Sequence, residues 1–195
     1  MATVELTLGS TSPRRRDLLE QIGVKVDRIS PADIDESPLA NELPRVYVER
    51  ISREKNSAIE ASGLVLTADT IVSAGRRILG KPADASEAAQ FLMILSGRRH
   101  KVTTSICLRL DETVRQRTVE TRVTMKRLSD HEISAYLRSG EWQGKAGGYA
   151  IQGIGAALIP EINGSYSNVV GLPLTETANL LQGMGYPVTL DGSPA

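Results

Sequence analysis

Three stretches of this sequence place charged side chains where they could meet a phosphate or a metal ion. The first is Gly9-Ser10-Thr11-Ser12-Pro13-Arg14-Arg15-Arg16. The alternating run Val4, Leu6 and Leu8 predicts a strand that delivers small residues to a Ser-Pro helix start. Small residues let backbone N–H groups approach a phosphate, and the helix N-terminus adds a favourable dipole. Arginines in the first turn oppose that dipole, so a bound polyanion would make them easier to accommodate. A solvated basic helix start is the other reading. The second stretch is Asp69-Thr70, directly after the apolar run Leu64–Ala68. A carboxylate leaving the end of a buried strand suits a metal ion or a general base towards water, and equally a turn or helix cap. The third is Asp33, Asp35 and Glu36 within Pro31–Pro38, which offers oxygen ligands to a hard divalent cation or simply a solvated acidic loop.

Single residues add to these. Lys55 shares a helical face with Val48, Ile51 and Ala58, so its ammonium starts from an apolar stripe and either serves a site or snorkels to solvent. If it serves a site, removing the charge is expected to cost activity while leaving stability unchanged or raised; a fall in stability with activity kept would mark a snorkelling residue. Lys81 stands between Gly80 and Pro82 in a turn. Lys145-Ala146-Gly147-Gly148-Tyr149-Ala150-Ile151-Gln152-Gly153 is a small-residue loop ending in an amide that can pair with a base edge. Asn163–Asn168 is a turn signal that either folds over the same cleft or lies on the surface. His100 and His131 lack metal-ligand spacing; His131 sits in a helix first turn and His100 begins a strand that could line a cleft. Cys107, the single cysteine, falls in the alternating run Val102–Leu110 and reads as a small core residue.

The elements that must position these residues follow from periodicity and caps. Ser12-Pro13 opens a helix that Gly23 ends, a short strand fits Val24–Ile29, and a second helix runs from about Arg45 to Ala61. Leu64–Ala68 reads as a buried strand, and Ile71-Val72 with Ile78-Leu79 as a hairpin. Asp84-x-x-Glu87 starts a helix that Gly97 stops, Val102–Leu110 and Val119–Met125 are long strands, and Ser129-x-x-Glu132 caps a helix ending near Gly140. Pro173, at a first helical position, opens the last helix. Strands and helices alternate early and strand pairs dominate the middle, which predicts an α/β fold with a mixed twisted sheet and flanking helices.

Composition narrows the function classes. The 195 residues are 41% hydrophobic and 24% charged, the profile of a chain that buries an ordinary core. Lys plus Arg and Asp plus Glu each number 23, so the net charge is zero and aromatics are only 4%. Stable nucleic-acid binding, which needs many cations or stacking faces, is disfavoured, whereas a local cationic pocket for a small phosphate ligand is not. One cysteine excludes an intrachain disulfide and suits a reducing compartment. MATVELTLGS lacks a secretory signal and nothing approaches a membrane span, so the expected localisation is cytoplasmic.

Taken in order, these segments resemble the Maf family. The matches are Ser10–Arg15 with Leu18-Leu19, Asp35-Glu36, Arg50 with Glu54-Lys55, Ala68–Val72, Gly80-Lys81-Pro82, and Leu95-Ser96-Gly97 with His100. They continue through Lys145–Tyr149, Ile151-Gln152-Gly153, Asn163–Tyr166 and Val170–Leu174, so they span nearly the whole chain. The resemblance implies one α/β domain over residues 1–190, with two lobes around a cleft as in inosine triphosphate pyrophosphatases, and a loose tail over 191–195. It implies an enzyme that cuts nucleoside triphosphates between the α- and β-phosphates, with a divalent metal, magnesium or manganese, and a homodimer. Asp69 corresponds to the family's proton acceptor; Ser10, Arg14, Arg15, Lys55 and Lys81 to phosphate contacts; and Glu36 with Asp69 to the metal site. The Asp-Thr pair and the Ile-Gln-Gly loop resemble the branch acting on dTTP and UTP, with Arg14, Thr70 and Gln152 as selective positions. A broad-range or 7-methyl-GTP pyrophosphatase and a non-enzymatic regulator of septum formation are the alternatives. Gly9 and Asn56 depart from the family pattern, which has Ala at both; Gly9 is expected to loosen the phosphate loop slightly.

Overall fold

In the computed structural model, which describes residues 4–188, the strand-forming runs assemble into one mixed sheet of seven strands. In chain order the elements are β1 (Leu6–Leu8), α1 (Pro13–Gln21), β2 (Arg28–Ile29), α2 (Pro44–Ser57), β3 (Leu64–Ala74), β4 (Arg77–Leu79) and α3 (Ala85–Leu95). There follow β5 (Arg99–Leu110), β6 (Thr113–Thr124), α4 (Asp130–Ser139), β7 (Glu161–Asn163), α5 (Tyr166–Val170) and α6 (Leu174–Gly183). Short 3₁₀ turns lie at Ala146–Gly148 and Ile154–Leu158. The strand order is β2-β1-β3-β5-β6-β7, with β4 paired to β3. β1 runs parallel to β2 and β3, and the remaining pairs are antiparallel. The expected tail, 191–195, lies outside the described residues.

Helix starts follow the caps read from sequence. Pro13 occupies the first turn of α1, Asp84 accepts from the Glu87 amide at 2.8 Å, and Ser129 with Glu132 forms a reciprocal capping box on α4. Gly140 closes α4 with φ 73°, a left-handed turn that glycine adopts without penalty. α1 and α6 cover one part of the sheet through Leu18, Leu19, Leu180 and Leu181 against Leu6, Leu66 and Ile106. α3 and α4 cover another through Phe91, Leu92 and Tyr136 against Val102 and Val123.

α2 departs from its expected stripe. Tyr47, Val48 and Ile51 pack on Ile71, but Ala58 is exposed and Asn56 is buried in its place. The Asn56 amide donates to the carbonyls of Val65 (2.9 Å) and Cys107 (3.1 Å), and its oxygen accepts from Arg109 Nε at 3.1 Å. These bonds satisfy a polar side chain that would otherwise be costly to bury. Gly9 is also tighter than expected: its amide bonds to the Leu66 carbonyl at 2.8 Å, and an added Cβ would lie 2.5 Å from both Ile59 Cδ1 and Thr67 Cγ2. Cys107 is fully buried and its thiol is pushed up to about 11 by desolvation, consistent with a core role.

Several boundaries differ from those read in sequence. β2 keeps only two residues of Val24–Ile29, α2 stops at Ser57, β6 begins at Thr113, and Pro173 precedes the first residue of α6. The consequential difference is β3, one strand of eleven residues in which Asp69-Thr70 is neither an end nor a turn.

Candidate active site

The position of Asp69 follows from a gap in the sheet. β1 pairs with β3 through Leu8 and Leu66, and β4 takes over the same flank only at Val72. Between them residues 67–71 keep their pairing to β5 while that flank stays open. Successive strand residues face opposite sides, so Asp69 points towards α2 and Thr70 towards α1 and α5. A cavity of about 460 Å³ opens here. Its wall brings together residues 10, 14, 15, 36, 55, 69, 70, 81 and 152, so every candidate site residue meets at one place.

Lys55, from the last turn of α2, places its Nζ 2.8 Å from Asp69 Oδ1 and 2.8 Å from Glu36 Oε2. The ammonium therefore bridges two carboxylates inside the cavity and does not snorkel to solvent. The expectation that removing it is free of cost took no account of these partners, which would lose their counter-charge. Asp69 Oδ2 has no hydrogen-bond partner among the described residues. Of the acidic trio in the 31–38 loop only Glu36 reaches the cavity; Asp35 accepts from the Ser37 amide at 2.9 Å, a local turn.

The Glu36 loop is fixed from α2. Tyr47 Oη donates to the Glu36 carbonyl at 2.8 Å, and burial raises its pKa to about 12. Arg50 grips both Glu42 oxygens at 2.7 Å and donates to the Ser37 carbonyl at 3.1 Å. That bidentate pair holds the Glu42 carboxyl down at about 2.

Arg15 crosses the floor of the gap. Its guanidinium donates to the Gly171 carbonyl (3.0 Å), Ser10 Oγ (3.1 Å) and Thr70 Oγ1 (3.1 Å). All three partners are neutral, so the charge stays available to a ligand even though burial works against it. Thr70 Oγ1 also meets Thr104 Oγ1 at 2.9 Å and Gly171 O at 3.3 Å, so this hydroxyl is engaged within the wall. Arg14 and Lys81 form no ion pair among the described residues. Lys145, which sequence reading placed in a loop without a role, joins them in the wall; desolvation and the neighbouring Arg14 lower its pKa. The wall thus carries five cations (Arg14, Arg15, Lys55, Lys81, Lys145) against two carboxylates (Glu36, Asp69), a bias towards a polyanion inside a protein of zero net charge.

Gln152 lies exposed at the cavity rim, its amide without a hydrogen-bond partner among the described residues. The Asn163–Asn168 segment leads into α5. Asn168 is buried and ties β5 to β6 by donating to Val102 O and Thr121 Oγ1, while Val169–Gly171 continue into the wall. His100 does not line the cavity. It is buried behind Tyr149, which does, with Nε2 2.7 Å from the Tyr149 hydroxyl, and burial lowers its pKa to about 4. His131, on the exposed first turn of α4, does not line it.

A family model described as Maf-like protein matches residues 5–184. The chain belongs to the Maf family. It is 58% identical over 185 residues to the dTTP/UTP pyrophosphatase of Cereibacter sphaeroides, covering 94% of this chain and 96% of that one. It is 59% identical to the dTTP/UTP pyrophosphatase of Roseobacter denitrificans, covering 92% and 96%. Among solved structures, a HAM1 protein from Coxiella burnetii superposes with a TM-score of 0.52 at 15% identity over 93% of this chain and 100% of that one. That likeness concerns the fold alone, and it agrees with the mixed sheet and flanking helices of this Maf-family chain. No helix among the described residues is long and apolar enough to cross a membrane.

Proposed function

We propose that this Maf-family chain is a nucleoside triphosphate pyrophosphatase that hydrolyses dTTP and UTP to the monophosphate and pyrophosphate. The observation that carries the chemistry is Asp69, with one carboxylate oxygen unbonded among the described residues, set in a sheet gap among five cations. The substrate class rests on relatives at 58–59% identity that bear the name dTTP/UTP pyrophosphatase. In this reading Asp69 Oδ2 accepts a proton as water attacks phosphorus, and the α–β bridging oxygen leaves with the pyrophosphate. Arg15, pre-set by Ser10 and Gly171, and Arg14, Lys55 and Lys81 hold the phosphate oxygens on which charge develops. The side chain of Gln152 offers one donor and one acceptor to the Watson–Crick edge of a pyrimidine. Thr70 and Arg14 then act on selectivity through depth: Thr70 fixes Arg15, and Arg14 flanks the phosphates.

The carboxylates of Asp69 and Glu36 converge on one cation position, now filled by the Lys55 ammonium, and this fits a divalent metal that takes one or two carboxylates plus substrate phosphates. Magnesium or manganese bound by these two residues would polarise the phosphate oxygens and neutralise leaving-group charge. Asp69, Glu36 and the cations have no evident use in a purely regulatory protein. A nucleotide panel with added magnesium or manganese tests the reading by pyrophosphate release: dTTP and UTP are expected to lead. Absence of release from every nucleotide refutes the enzyme; a lead for 7-methyl-GTP moves it to the other branch.

A further inference from the structure

Gln152 sits on an exposed loop, and an exposed loop discriminates between bases only if something fixes it. Two side chains from the end of α4 do so. Tyr136, 2% exposed, accepts from the Ala150 amide at 3.0 Å on the near side of Gln152. Glu141 lies just past the Gly140 turn and holds the far side. Its Oε1 accepts from the Ile154 amide at 2.8 Å, and its Oε2 accepts from the Gly155 amide at 3.1 Å. One carboxylate thus receives two consecutive backbone N–H groups, a strong charge-assisted arrangement. Glu141 forms no ion pair among the described residues, although its charge is also felt by Lys145 and Tyr136.

The glycines around it are shaped to the same clamp. A Cβ on Gly153, next to Gln152, would lie 2.2 Å from Glu141 Oε1. A Cβ on Gly155 would lie 2.2 Å from the Ala150 carbonyl oxygen. The segment from Ala150 to Gly155 therefore closes back on itself around the carboxylate, with Gln152 carried at its outer bend. We infer that Glu141 is a positioning residue for base selection: it clamps the 150–155 loop and thereby holds the Gln152 amide at the height of the base. This rests on the reading of Gln152 as the base-contacting side chain.

The test uses the full chain carrying Glu141→Gln, which keeps the shape but turns one acceptor into a donor facing an amide, and Gly153→Ala, which strains the clamp from the loop side. Gln152→Ala runs in parallel. Hydrogen exchange on peptides covering 150–158 reads the clamp directly, and kcat/KM for UTP against CTP reads selection. Faster exchange is expected in E141Q and G153A, with the UTP-to-CTP ratio falling roughly tenfold, since small misplacements of a contacting group cost rates of this order or more. Unchanged exchange in both variants overturns the clamp. Faster exchange with an intact ratio overturns its role in selection. If Q152A leaves the ratio intact while E141Q collapses it, Gln152 is not the base reader and Glu141 acts through another loop residue. If Q152A collapses the ratio and E141Q does not, the inference about Glu141 fails while the base reading stands. Should E141Q fail to fold, G153A carries both measurements.

Discussion

Replacing Lys55 by Met separates the roles of the ammonium from those of its stem. Met keeps the apolar contacts of α2, so the loss is electrostatic. The Asp69 side chain is 11% exposed and that of Lys55 12%, whereas Glu36 is 45% exposed. The Lys55–Asp69 contact therefore behaves as a buried pair, and the Lys55–Glu36 contact is largely screened, contributing about 0–1 kcal/mol. Breaking a fully buried pair costs about 3–5 kcal/mol, because the remaining charge is left without a partner. The cavity is open to solvent on one side, so the expected loss is about 2–4 kcal/mol, near the lower end of that range. For a chain of this size that corresponds to a fall in Tm of roughly 4–16 °C.

A second arm identifies the cause. With the ammonium gone, Asp69 and Glu36 are left facing one cation position, which the proposed reading assigns to a divalent ion. Millimolar magnesium or manganese is expected to raise the Tm of K55M by more than it raises that of the unmodified protein, by linkage to a site freed of its internal competitor. Thermal melts with and without metal, followed by pyrophosphate release from UTP, make the measurement. An unchanged Tm in K55M, with no added response to metal, would refute the bridging role of Lys55 and return it to the status of a snorkelling lysine.

Other expectations concern single groups. Asp69→Asn keeps the side-chain size, loses the basicity, and should lower kcat by at least ~100-fold with the fold retained; near-normal turnover removes Asp69 from the chemistry. Gln152→Ala should narrow the preference for dTTP and UTP over CTP, ATP and GTP by roughly 1–3 kcal/mol, mainly by slowing the preferred substrates, as measured by kcat/KM across the panel. His100, lowered from 6.5 to about 4 by burial, is neutral when folded and takes up a proton more readily when unfolded. Its stabilising contribution is therefore complete above pH 6.5 and is lost as pH falls towards 4, by about 3 kcal/mol. Glu42 and Glu132, both held at about 2, lose theirs only below 4.5, so pH 4.5 to 6.5 is free of their contribution. His100→Asn should flatten denaturation midpoints between pH 4.5 and 6.5, and an unchanged slope there would remove His100 as the cause.

Much of the fold was legible because local rules and tertiary packing agree. The caps at Asp84, Ser129 and Gly140 are side-chain and backbone chemistry confined to a few residues, and they stand where sequence puts them. α2 shows the opposite case. Asn56 reads as a polar interruption of a helix, yet it faces inward because Val65, Cys107 and Arg109 meet its bonds, partners up to 53 residues away. Long-range satisfaction of that kind leaves no periodic trace. Short pieces such as β7 and α5 escaped notice for a related reason: three strand residues and five helical ones are too few for a period, and their existence depends on β6 and on Asn168.

The site was legible as a set of residue types before it was legible as a place. Ser10, Arg14, Arg15, Lys55, Asp69, Lys81 and Gln152 all line the cavity, but Asp69 is not the strand-end carboxylate that the sequence predicts. Asp69 and Thr70 sit in mid-strand, and the sequence signal misleads because polar residues inside a hydrophobic run look like a break. They are tolerated there because β1 is only three residues long and β4 starts late, so one flank of β3 is bare over residues 67–71. A strand held by β5 on one side and open on the other is rigid and accessible at once, which a loop carboxylate is not. The same gap explains the conflict at α1, whose first turn carries arginines against its own dipole. Arg15 does not stay at that helix end; it reaches across to Thr70 and Gly171, where Asp69 opposes the desolvation of its charge. The local rule fails at the residues that carry positive charge into the cavity wall.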